Sequence, residues 1–134
     1  REYVRTKNRE GWLSLYAEDA IIEDPIGVSH IDPEGKGHRG QAAREAFWDN
    51  FIAPANIDIV INDSYAAGNE VANHIEITIV IPAGDGKALQ QKVFGVFTYH
   101  VNEEGKLLSL RGYWEVDDPR NALTEITLDD ADTA

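Results

Sequence analysis

IDIVINDSYAAGNEVANHIEITIVIPAGDGKALQQKVFGVFTYHVNEEGKLLSLRGYWEV, Ile57 to Val116, holds four β-rich runs separated only by turns. The runs Ile57–Ala67, Glu70–Ile81, Ala88–Asn102 and Leu107–Val116 are rich in Ile, Val, Phe, Tyr and Thr, which suit a pleated, half-buried surface. Gly68-Asn69, Gly84-Asp85-Gly86 and Asn102–Gly105 supply the hairpin turns between them. Connections this short leave no room for helical crossovers, so the sheet is predicted antiparallel. The runs exceed the usual length of about 5–6 residues, which predicts strong twist and bending.

Alternation along each run sorts its side chains onto two faces. Leu108, Leu110, Gly112, Trp114 and Val116 fall together, opposite Ser109, Arg111 and Glu115. Val71, Ile75, Ile77, Ile79 and Ile81 share one face, with His74, Glu76 and Thr78 on the other. Val93, Gly95, Phe97, Tyr99 and Val101 share one face, yet Phe94 and Val96 load the opposite one. A sheet apolar on both sides needs cover on both. Helices cover one face, and the second is expected to meet another copy of the chain, giving a homodimer through the sheet.

Upstream, Asn8 is placed to cap a short helix carrying Trp12, Leu13, Leu15 and Tyr16. Ala20–Asp24 reads as a strand stopped by Pro25 and Gly27. Val28 to Gly40 reads as a mobile polar loop. Gln41–Phe51 reads as a helix with Ala43, Phe47 and Phe51 on one side, ending at Ala53-Pro54. Helices first and a long meander afterwards predict an α+β domain over residues 1–116. Residues 117–134 carry six acids and one Arg and read as a frayed, partly disordered tail.

The 134 residues carry 12 Lys and Arg against 24 Asp and Glu, a formal charge of −12. That charge argues against nucleic acid and anionic membrane surfaces as partners. Without cysteine there is no disulfide, thiol nucleophile or Cys-ligated metal. No apolar run approaches the roughly 20 residues that span a bilayer, and the default expectation is a cytoplasmic protein.

Several constellations invite chemistry. Asp24 shares a strand face with Ala20 and Ile22, but Ile21 loads the other face too. Two readings stay open: a carboxyl at the rim of an apolar cavity, raised in pKa and able to take a proton from carbon beside a carbonyl, or the start of an Asp-Pro turn. Gly35-Lys36-Gly37-His38-Arg39-Gly40 matches G-x-G-x-x-G, but the residues before it are polar and include Pro33, not the buried strand a dinucleotide fingerprint follows. His30, Asp32, Glu34 and His38 lie in the same loop without helical metal-ligand spacing, so no metal site is expected. The polar-tipped aromatics Tyr3, Tyr16, Tyr99, Trp48 and Trp114 read singly as core.

The segment Leu15-Tyr16-Ala17-Glu18-Asp19-Ala20-Ile21-Ile22-Glu23-Asp24-Pro25-Ile26-Gly27 resembles the ketosteroid isomerase family, of the nuclear-transport-factor-2-like or SnoaL-like superfamily. His38-Arg39-Gly40 leading into Ala46-Phe47-Trp48, Gly95–Tyr99 and Arg111–Trp114 fit the same family in order. The resemblance implies a cone-shaped fold, with helices cupped by a curved antiparallel sheet around an apolar cavity. It implies a steroid Δ-isomerase-like activity on a small hydrophobic, steroid-like ketone, with no cofactor. Asp24 matches the family's general base and Tyr16 a tyrosine supporting the oxyanion donor. Trp48 matches another supporting position, and Trp114 a pocket-lining aromatic. In that family an Asp base works opposite an oxyanion hole made of a Tyr and a protonated Asp.

Two departures bear on the electrophilic half. Phe97 stands where the family has its second donor, an Asp. Counting back from Tyr16 places the principal donor tyrosine just before Arg1, and Tyr3, about one helical turn later, is the expected substitute. The expected catalytic residues are thus Asp24, Tyr16 and Tyr3, and the expected substrate-binding ones Trp48, Phe97, Tyr99 and Trp114. The alternatives are a binding module that keeps the cavity without turnover, or another SnoaL-like reaction: polyketide cyclisation, or epoxide hydrolysis through an Asp–Arg–Asp set.

Overall fold

The computed structural model describes residues 1–128. Two short helices open the chain, α1 (Glu2–Arg5) and α2 (Arg9–Leu13). Asn8 caps α2 as its sequence predicts, its side chain accepting the Gly11 N–H at 2.9 Å. Strand β1 (Tyr16–Glu23) starts four residues earlier than expected. His38–Arg39, expected in a mobile loop, form β2 and pair with Ile22 and Ile21. Helix α3 (Gln41–Phe47) passes into one π-helical turn over Trp48–Ile52. There the Ala53 N–H donates to the Trp48 carbonyl at 2.8 Å, a widened turn just before Pro54 ends the helix.

The meander is β3 (Asn56–Ala67), β4 (Glu70–Gly84), β5 (Lys87–Val101) and β6 (Leu107–Tyr113), each antiparallel to the next. Two corrections follow. The sheet is mixed, because β1 joins β6 in parallel, Ile22 beside Leu110 and Glu23 beside Arg111. Part of the expected frayed tail is also a strand: β7 (Leu123–Thr127) pairs with β5 from Lys87 to Gln91. Residues 129–134 of that tail lie outside the described residues.

The spatial order is β2-β1-β6-β5-β4-β3, with β7 on β5. Breaks in register within β3, β4 and at the β5–β6 pair add local twist, so the sheet curls into an open cone around the helices. One edge of β5 is shared, with β6 pairing from Val96 onward and β7 up to Gln91. Asn121 fills the gap. It is 1% exposed, accepts the Phe94 N–H at 3.0 Å and donates to the Glu115 carbonyl at 2.8 Å.

The core has two parts. Trp12, Tyr16, Ile22, Phe47, Trp48 and Ile52 pack between the helices and β1, while Ile75, Val93 and Phe97 pack on the concave face of the sheet. Between them is a hollow.

Candidate active site

The hollow has a volume of about 220 Å³. Its sheet wall is a run of isoleucines, Ile57 and Ile59 from β3 and Ile75, Ile77 and Ile79 from β4. Trp12, Phe47, Phe51 and Ile52 close the helical side. Asp24 lies among the residues lining this largely apolar space.

Asp24 follows the last residue of β1, in line with Gly112 on β6 because Glu23 pairs with Arg111. Glycine at 112 makes room: a Cβ there would stand 2.8 Å from the Phe97 ring and 3.2 Å from the Asp24 carboxylate. The indole Nε1–H of Trp114 donates to Asp24 Oδ1 at 2.8 Å. Burial pushes Asp24 up to about 6, with the indole hydrogen bond working against that rise. The two open readings of Asp24 prove compatible, since the turn at Pro25 leaves the carboxyl facing the hollow.

Phe97, Tyr99 and Trp114 line the hollow with it. Tyr16 and Trp48 are buried beside it instead, with the Trp12 ring 4.9 Å from Tyr16 and 5.4 Å from Trp48. Tyr16 is held well above the usual tyrosine range, first by burial and then by the neighbouring Tyr99 and Asp24 side chains. Burial and the charge of Asp24 push Tyr99 up to about 12, with the Asn73 side chain working the other way. Tyr3 is not brought to the hollow: 36% exposed, its ring lies over Gly11.

The loop acids and histidines do not converge. Asp32 accepts the Gly37 N–H at 2.8 Å, and the His38 ring packs 5.1 Å from Phe47. Among the described residues no group of three or more His, Asp or Glu is arranged to hold a metal ion, and no helix is long and apolar enough to cross a membrane. Arg111 pairs with Glu23 at 3.0 Å on the sheet face opposite Asp24, so it does not join an Asp–Arg–Asp set with that carboxyl. Sequence reasoning missed Asn73 and Gly112 as parts of this neighbourhood. Alternation places both on the concave face, but neither residue type signals a role by itself.

The SnoaL-like domain profile matches residues 1–110. The chain belongs to the SnoaL-like family. Among curated relatives, this SnoaL-like chain is 29% identical over 101 residues to a steroid Delta-isomerase of Nocardioides simplex, covering 75% of this chain and 72% of that one. Among solved structures it is similar to the Δ5-3-ketosteroid isomerase of Mycobacterium sp., with a TM-score of 0.80 and 36% identity over 93% of this chain and 91% of that one. It is also similar to RV0760c of Mycobacterium tuberculosis in complex with estradiol-17β-hemisuccinate, with a TM-score of 0.80 and 37% identity over 87% of this chain and 88% of that one. The expected cone-shaped architecture and the ketosteroid-isomerase resemblance both hold.

Proposed function

We propose that this SnoaL-like chain is a steroid Δ-isomerase-like enzyme. Asp24 takes a proton from the carbon between a ketone and an isolated double bond. The same carboxyl returns that proton two carbons along the dienolate, and the double bond ends in conjugation. The substrate's atoms balance with no co-reactant. The observation that carries this reading is Asp24 itself, a carboxyl raised to about 6 at the wall of an apolar hollow. Such a group is roughly nine-tenths ionised at pH 7 and still far more basic than an exposed Asp. The similarity to two steroid isomerases and to a protein holding an estradiol ester supports a steroid-like ketone as ligand.

The test is conjugated-enone absorbance on 5-androstene-3,17-dione, wild type beside Asp24→Asn. A general base contributes about 10²–10⁴ to rate, so the variant is expected to lose that factor. Equal rates sink the proposal. Phe97 favours a second reading, a module that binds steroids without turnover, because its ring cannot donate to the ketone oxygen. Tight steroid binding with no enone formation supports that alternative.

We also propose that the chain pairs with a second copy through the convex face of its sheet. Val96 lies between Tyr113 and His74 on that face. Tyr65, 69% exposed, and Val60 extend the same apolar surface.

A further inference from the structure

We propose that the Tyr99 hydroxyl is the hydrogen-bond donor that meets the ligand's ketone oxygen beside Asp24. This assignment deepens the reading of the hollow as a ketone site and rests on it.

Strand register fixes the placement. Asp24, Gly112, Phe97 and Asn73 form one row across the concave face, and Ile22, Leu110, Tyr99 and Val71 form the next. Strands lie about 4.8 Å apart, and same-face residues along a strand lie about 6.6 Å apart. Tyr99 therefore starts one row down and two strands across from Asp24, and both side chains face the same hollow. A tyrosine ring carries its hydroxyl several ångströms beyond Cβ, far enough to close much of that gap.

The other groups near Asp24 are excluded one by one. Phe97 has no donor. The Trp114 N–H is already given to Asp24 at 2.8 Å. Tyr16 and Tyr3 do not line the hollow. Of the remaining polar lining side chains, His30 and Asn50 are exposed, and Gln91 donates to the Asn121 carbonyl at 2.9 Å, eight residues along β5 from Tyr99.

The environment keeps Tyr99 a neutral donor. Burial and the Asp24 charge hold its hydroxyl at about 12, so the proton stays on oxygen at any working pH. The Asn73 side chain, from the Asp24 row, works against that rise without overcoming it. When Asp24 removes the carbon-bound proton, negative charge grows on the ligand oxygen. The Tyr99 O–H stabilises that charge without giving up its proton.

The test uses progesterone, whose double bond is already conjugated, so that binding is read apart from turnover. A hydrogen bond to its 3-ketone moves the enone absorption to longer wavelength. Wild type is expected to show this shift. Tyr99→Phe is expected to bind with the shift lost and to isomerise 5-androstene-3,17-dione with kcat lower by about 10²–10³ and KM little changed. Because Tyr99→Phe can fail to fold, Tyr99→3-fluorotyrosine provides a second arm: a stronger donor of nearly equal size, it is expected to enlarge the shift. A shift kept in folded Tyr99→Phe, a shift unchanged by fluorination, or wild type that binds progesterone without a shift or not at all overturns the assignment. Wild type that binds with the shift but forms no enone supports this assignment and removes only the isomerase reading.

Discussion

At Asp24 two influences oppose each other on one carboxyl. Leaving water for the hollow favours the neutral acid, while the Trp114 N–H favours the anion, and burial is the larger. The stability consequence has a definite sign. An unfolded Asp releases its proton near pH 3.8, whereas the folded chain keeps it until about pH 6. Stability is therefore full below about pH 4 and falls as pH rises through 6, by up to about 3 kcal/mol. Asp24→Asn removes that penalty. Urea unfolding should show the two proteins diverging between pH 4 and 6, with the variant the more stable at pH 8. Equal stability at pH 8 contradicts the assigned burial. Little of this was legible locally. Isoleucines on both faces of the first strand left the direction of Asp24 open, and its indole partner lies 90 residues away. Only the family resemblance pointed to the residue before its surroundings were known.

At the scale of elements, the site depends on how closely β1, β6 and β5 approach. Gly112 is the narrow point, with Phe97 on one side and Asp24 on the other. Gly112→Ala should force the Phe97 ring and the carboxyl apart, at a cost of about 1–3 kcal/mol. Isomerase activity should fall more than thermal stability does, as measured by enone formation and calorimetry on the same preparation. The meander was legible because four long β-rich runs follow one another and the short turns between them carry glycine. The parallel β1–β6 pair was not, because nothing in either segment encodes a partner so distant in the chain. Strand β7 was hidden by its acidic surroundings. Its five residues are mostly exposed, so no buried face marks it, and it is anchored by the buried Asn121 rather than by its own apolar side chains.

For the whole molecule, the open cone leaves one sheet face to the hollow and the other to solvent. The apolar mixture on the outer face, Val96 and Tyr113 among its members, is the basis of the proposed dimer. Light scattering at micromolar concentration should give twice the chain mass, and Val96→Lys with Tyr113→Lys should halve it. A monomeric wild type contradicts the pairing. The inner face carries the central claim, which concerns a single proton. A carbon-13 NMR titration of the Asp24 carboxyl, assigned by its loss in Asp24→Asn, reads that proton directly. The account predicts a midpoint near pH 6, moving higher in Trp114→Phe as the indole donor is lost. A midpoint near 3.9, the value of an ordinary solvated Asp, would contradict it.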